Sequence, residues 1–241
     1  MFQGENNGNM NNQKAKEIAD YIFKDVFNKD NAYSLAELKK RFAFDIPMAN
    51  KVTCSLSGEN TWSFSAESEM TASQKAIANK FKQDEWMKKR QPLNSIEDVL
   101  KAWKEVNYIT GEKYISSKEV SESDGVYNSM IVYHSVSIFD SKNIVFSYKI
   151  FDSNYMIASR DNSSCTLGIR VKESIYCSSC FEVSWSNKVS RSMFIHDGFD
   201  LYECLFCSHL RSKKYCIANM QFEKAEYLKI KKMVTDWILR I

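Results

Sequence analysis

From Asn12 onward, apolar residues recur at steps of three and four. Ala15, Ile18, Ala19, Ile22, Phe23 and Phe27 mark an amphipathic helix that ends near Asn28, behind an Asn- and Gly-rich arm over residues 1–12. Ser34 and Glu37 form the sequence of a capping box, predicting a short helix to about Phe42 that Pro47 cannot continue. Val52 to Phe64 alternates polar and apolar residues and reads as a strand or hairpin around Gly58. Thr71 is placed to cap a helix through Ala76, Ile77, Phe81, Trp86 and Met87, closed by the basic turn Lys88-Lys89-Arg90 before Pro92. Ser95 with Asp98 opens another, whose apolar face is Ile96, Val99, Leu100, Trp103 and Val106 and whose end is Gly111.

The pattern changes after Lys113. As far as Phe222 there is no helical stripe, only pieces of three to five strand-forming residues separated by Ser, Asn, Asp and Lys, with small polar residues at Ser141, Ser153, Ser163 and Ser174. This spacing is read as a β-solenoid, in which each short strand stacks on its equivalent in the coil below and Ile144, Phe146, Met156, Leu167 and Val171 point inward. Ser, Asn and Asp suit the corners because they hydrogen-bond their own backbone in tight bends. The competing reading is an antiparallel sandwich. It is disfavoured by the scarcity of Gly-containing hairpin dipeptides, with Asp197-Gly198 as the exception, a hairpin or an inserted loop.

Exposed solenoid edges need caps. Phe222, Ala225, Leu228, Met233, Val234, Trp237, Ile238 and Ile241 supply an amphipathic helix for one end, and the helical first half covers the other. Trp103 and Trp237 are expected to anchor these caps to the core. The fold class is therefore α+β. Residues 1–112 form a mostly helical region, 113–221 a small β-solenoid of short rungs, and 222–241 a C-terminal capping helix.

Composition narrows the function. Of 241 residues, 44% are hydrophobic and 26% charged, which excludes wholesale disorder. A net charge of +3 gives no general argument for nucleic acid. No apolar run approaches the ~20 residues of a membrane-spanning helix, so no membrane partner is expected, and the first residues lack the layout of a secretory signal.

Cysteine spacing is the strongest local chemical signal. Cys177 and Cys180 make one C-x-x-C pair and Cys204 and Cys207 another, with His209 and Cys216 close behind. Two such pairs are what a tetrahedral zinc site requires, although neither pair has the glycine of a tight knuckle. The other reading is an internal ladder, in which cysteines at recurring positions stack as small buried hydrophobes, and Cys165 and Cys216 fit it. Disulfides are disfavoured, since seven cysteines is an odd number. Thiol catalysis would need His134, His196 or His209 beside a cysteine, and His196 next to Asp197 is read as a solvated turn. Glu173, Asp197 and Asp200 show only surface placement, and no phosphate-binding or nucleophile-elbow motif occurs. The runs Lys39-Lys40-Arg41, Lys88-Lys89-Arg90 and Arg211 to Lys214 read as solvated helix ends or corners rather than a nucleic-acid footprint.

The C-terminal segment carries a resemblance. Tyr202, Cys204 and Cys207, followed by Tyr215, Cys216, Ile217, Asn219, Gln221, Phe222, Lys224, Glu226 and Tyr227, resemble the tail of an uncharacterised Cys/Ser/Asn-rich repeat family found in tailed bacteriophages and poorly cultivated bacteria. The likeness spans roughly residues 125–230 and is most specific over 202–227. It implies a solenoid-like module with stacked cysteine rows and supplies no catalytic residue. Relatives with an N-terminal cysteine-pair zinc motif differ from this chain, which has only Cys54 before Cys165.

The expected function is a non-enzymatic structural or interaction protein, a bacteriophage virion or phage-encoded accessory component that uses a rigid solenoid as a docking scaffold. No catalytic, cofactor or metal residue is assigned to it. Its partners are other proteins in a larger assembly or homo-oligomer, in a virion or the bacterial host cytoplasm. The alternative is a zinc-stabilised nucleic-acid-binding or transcription-associated factor with Cys177, Cys180, Cys204 and Cys207 as ligands.

Overall fold

The computed structural model describes residues 12–65, 70–81 and 86–239. Its body is a parallel β-solenoid of about nine coils, running from Tyr114 to Ile217. Each residue pairs with the one twelve positions later: Val132 with Ile144, Ile144 with Met156, Met156 with Gly168, Gly168 with Cys180.

The coil length follows from a local rule. From Ser116 to Ala218, every third residue has positive φ, close to +50°, Gly125 included. Two extended residues followed by one left-handed residue turn the chain, so four such triplets close one twelve-residue coil. The left-handed residues include Ile131, Phe146, Tyr155 and Trp185, side chains for which this conformation costs on the order of 1 kcal/mol or more each. Inter-coil hydrogen bonding and stacking offset that cost.

Within each triplet, the residue after the left-handed one points inward. Val120, Val126, Val132, Ile138, Ile144, Ile150 and Met156 fill the lower interior, and Val171, Val183, Val189, Ile195 and Leu201 the upper. Between these large residues stand small polar ones. Each buried serine of the coils accepts a hydrogen bond from a backbone N–H one coil above, Ser141 N to Ser129 Oγ at 3.1 Å and Ser147 N to Ser135 Oγ at 3.0 Å, and donates to the carbonyl two residues before it. The hydroxyls thus satisfy N–H groups that a dry interior could not leave unpaired.

A second core lies outside the coils. The column Tyr133, Val145, Ile157, Ile169, Phe181, Met193 and Leu205 forms an apolar outer face. Helix α1 (Asn12–Phe27) lies along it through Ile18, Ala19, Ile22, Phe23 and Val26, with Phe27 5.1 Å from Phe181 ring to ring. Asn28, in the left-handed conformation at φ 52°, ends α1. Helix α2 (Leu35–Phe42) has the expected capping box, with Ser34 and Glu37 each accepting from the other's backbone N–H. Arg170, buried on this face, donates to the Phe42 carbonyl and forms ion pairs with Asp45 at 2.8 Å and with Glu182.

The first half is not all helical. An antiparallel hairpin, β1 (Asn50–Thr53) and β2 (Asn60–Ser63), turns through Gly58 as its alternation predicted. Strand β3 (Thr71–Ser73) precedes α3 (Gln74–Phe81), and α4 (Ile96–Lys104) precedes β4 (Ile109–Gly111), which pairs parallel with β3. These strands close the first coil: Asp124 accepts from Phe64 N at 3.0 Å and Lys113 N at 3.2 Å, and Tyr114 N donates to Gln74.

Several expectations are corrected here. Thr71 is a strand residue, drawn into pairing with Ile109, and Ser73 instead accepts from Ala76 N. Lys88, Lys89 and Arg90 lie in chain without regular secondary structure beyond α3, although part of the intervening segment, residues 82–85, falls outside the described residues. Gly111 does not stop a helix. It sits in β4, where an added Cβ would come 2.6 Å from the Trp62 carbonyl oxygen. Phe146 and Leu167 point outward beneath the helices, because they occupy the left-handed position of their triplets. Asp197-Gly198 continues the coil, with Gly198 N donating to Ser186 Oγ at 3.0 Å.

The C-terminal helix α5 (Lys224–Ile238) is present but lies on the helix-covered outer face rather than across the end. Lys231 bonds Glu203 and the Arg191 carbonyl, Trp237 packs on Phe194 at 6.0 Å, and the Leu239 carbonyl accepts from Tyr33 Oη. At the last coil the chain folds back in a short antiparallel return, Met220–Gln221. Trp237 is half exposed but does contact solenoid rings, whereas Trp103 anchors no core.

Candidate functional site

The C-x-x-C spacing has a geometric origin. Inward positions recur every third residue, so Cys177 with Cys180, and Cys204 with Cys207, are neighbours along one coil rather than two jaws of a knuckle. Across coils, Cys177 N donates to Cys165 Sγ at 3.4 Å, and Cys204 pairs in register with Cys216. All seven cysteines are buried and free.

Their sulfurs face the backbone. Cys180 Sγ donates to the Ser178 carbonyl at 3.2 Å and Cys207 Sγ to the Leu205 carbonyl at 3.2 Å. They thereby copy the serine pattern with a larger, weaker donor. Burial pushes the Cys180 thiol up to about 12. A metal ligand must be a thiolate, so burial opposes ligation at Cys180. Among the described residues, no group of three or more His, Cys, Asp or Glu side chains is disposed to hold a metal ion.

The histidines are not brought to the cysteines. His209 Nδ1 lies 2.6 Å from Asp197 and His196 Nδ1 3.2 Å from Ser184 Oγ, both exposed. Glu173 faces Arg160 at 3.8 Å, and Asp200 accepts from Ser212 on the surface.

Three other features stand out. The outer column Tyr127, Phe139 and Phe151 forms a stack, with ring centroids 4.8 and 5.0 Å apart and planes within 7° and 6°. The second feature is α4. It has its capping box at Ser95 and Asp98, yet buries no residue. Ile96 is 63% exposed, Trp103 54%, Leu100 46% and Val99 42%. The face read from the sequence exists, but no described residue covers it.

The third is an open cleft of about 610 Å³ between α2, the β1–β2 hairpin and the solenoid coil at His134, lined by Lys39, Lys40, Lys51, Trp62 and His134 over a floor that includes Ile46 and Met48. His134 is buried, its ring 5.1 Å from that of Trp62. Its Nδ1 lies 2.9 Å from Glu122 and its Nε2 3.2 Å from Lys39 Nζ. Burial, with the nearby Lys39 charge, lowers the His134 pKa. The neutral ring therefore donates from Nδ1 to Glu122 and accepts from Lys39 at Nε2. The sequence showed Lys39-Lys40 only as a helix end, because 95 positions separate Lys39 from His134.

These features define the class of the molecule, a β-solenoid of twelve-residue coils with helices packed on one face. In comparison with protein-family models, curated proteins and solved structures, the chain matches none. Among the described residues, no helix is long and apolar enough to cross a membrane.

Proposed function

We propose that this protein is a non-enzymatic structural or interaction protein, a rigid β-solenoid that serves as a docking scaffold and joins a second copy of itself through α4. The observation that carries the reading is the uncovered face of α4. A nine-residue helix with its N-terminal capping box and Ile96, Val99, Leu100 and Trp103 in water retains a large unsatisfied hydrophobic term.

The charges on α4 favour a two-fold partner. Glu97 and Asp98 occupy its first turn, Lys101 and Lys104 its last. An antiparallel copy sets each acidic turn against a basic one, the self-complementary arrangement of an isologous interface. The solenoid contributes stiffness, since each coil is hydrogen-bonded to its neighbours along most of its length. The setting proposed for this scaffold, a bacteriophage virion or phage-encoded accessory component, rests on the resemblance over residues 202–227.

Sedimentation analysis of the purified chain tests the reading. A dimer at micromolar concentration is expected, and Val99→Asp with Leu100→Asp, both exposed, should leave a folded monomer. A wild-type monomer up to about 100 μM, a dissociation constant too weak for such an interface, would exclude self-association through α4.

A further inference from the structure

The cleft beside His134 is a chemically assembled site that the scaffold reading does not use. Three lysines, Lys39, Lys40 and Lys51, line it from α2 and β1. Among the described residues, none of the three forms a salt bridge. With three lysines and no acidic residue in its lining, the cleft has a positive character that favours an anion.

One of the three is held in place. The chain of hydrogen bonds from Glu122 through His134 to Lys39 fixes the ring tautomer and directs an ammonium that would otherwise roam. Beside the charges, Trp62, Ile46 and Met48 offer an apolar wall, and the volume falls in the range of small-molecule pockets. Charge at the rim with an aromatic and aliphatic wall selects a molecule with both characters.

We propose that this cleft binds a small polyanion joined to a planar ring, of the nucleoside phosphate class, with Lys39, Lys40 and Lys51 on the phosphoryl oxygens and the ring against Trp62. Lysine ammoniums act on phosphate as point charges, and an indole face stacks with a flat heterocycle. His134 and Glu122 are positioning residues that act through Lys39.

The test is titration of the full chain with ATP, inorganic phosphate and adenosine, read by calorimetry and by tryptophan fluorescence. ATP should bind saturably and at least about tenfold more tightly than phosphate or adenosine. Trp62→Phe should remove most of the fluorescence response. Lys39→Gln with Lys51→Gln, both exposed, should leave the circular dichroism spectrum unchanged and weaken ATP about tenfold or more while leaving adenosine unaffected. No saturable ATP binding at about 1 mM, equal affinity for phosphate and ATP, or full affinity in the lysine variant would each overturn the proposal. Its failure would leave the α4 dimer untouched, since the two surfaces share no residue.

Discussion

The lower and upper coils of the solenoid share one backbone and opposite interiors. Up to Met156, large inward residues fall at Val120, Val126, Val132 and every sixth position thereafter, with serines at Ser117 to Ser159 between them. From Val171 the alternation has slipped by one triplet. Val183, Val189, Ile195 and Leu201 now occupy columns that held serine below, and Ser174, Cys180, Ser186, Ser192 and Gly198 occupy columns that held Val, Ile or Met. The interior therefore requires alternation around each coil rather than a fixed residue type at a fixed corner. A narrow tube accommodates two large and two small side chains per turn in either phase, because only the summed volume is constrained.

The slip occurs over Asn162, Cys165 and Gly168, where each residue solves a local problem. Gly168 stands directly above Met156, whose Cε fills the space a side chain would take; an added Cβ would meet it at 2.7 Å and Val171 Cγ2 at 2.8 Å. Asn162 stands above Ile150 and below Ser174. Ser174 is the first small residue of its column and has no serine beneath it, so Asn162 Oδ1 accepts its N–H at 3.1 Å, while Nδ2 donates to the Val171 carbonyl at 2.6 Å. Arg170, between Gly168 and Val171, fastens the same coil to Asp45.

If the two blocks are energetically equivalent, Ile144→Ala below and Ile195→Ala above should each cost about 2–5 kcal/mol, the range for deleting a buried isoleucine. Chemical denaturation that showed one block tolerating the deletion would break the equivalence.

The junction is the next place to strain it. Gly168→Ala should cost about 1–3 kcal/mol by overpacking against Met156 and Val171, and Gly168→Val more. A thermal midpoint unchanged by either substitution would show that Met156 yields freely and that the slip does not depend on glycine.

A smaller effect is expected at Asn162. Asn162→Leu leaves the Ser174 N–H without its acceptor, for about 1–3 kcal/mol. Asn162→Ser keeps an oxygen there and should recover part of the loss, as measured by the same denaturation and by faster amide exchange at Ser174 in the leucine variant alone.

The smallest effect is a pH dependence of the clamp at the junction. Burial raises the Asp45 pKa, but hydrogen bonds and charges from Arg170 and Lys172 outweigh it and hold the carboxyl at about 2, below the usual 3.8. A folded-state pKa below the unfolded one stabilises above pH ~4, and that contribution is lost as the pH falls through about 2. Asp45 is partly exposed, so screening limits it to about 1 kcal/mol or less. Asp45→Asn should flatten the acid limb of a stability–pH curve by that amount; an unchanged curve would place the clamp's strength in Glu182 instead.

Much of the fold was legible in the sequence where a short-range rule governs it. The periodicity of α1, the Ser34 and Ser95 capping boxes and the hairpin at Gly58 depend on neighbours within one or two turns of chain. The stacking of short strands was legible too, from small polar residues and the lack of hairpin dipeptides. The triplet rule was not. Left-handed residues that include Ile131, Phe146 and Trp185 give no local signal, so Phe146 and Leu167 were expected inside. The cysteine ladder could be weighed against zinc, but the order of the columns depends on a twelve-residue register that spacing alone did not reveal. The cleft was illegible, because Lys39, Trp62 and His134 approach one another only through the docking of three separate elements.

The sequence by itself determined the elements whose free energy is local: amphipathic helices, their caps, and a serine- and cysteine-rich run suited to stacked coils. Tertiary structure decided which apolar faces meet, that α1 and α5 share one outer wall while α4 is covered by no described residue, and that Lys39 meets His134 in a cleft that Lys40 and Lys51 also line. The physical reason is range. Capping and periodicity act across a few residues, whereas burial and electrostatic environment belong to whatever the completed fold brings alongside.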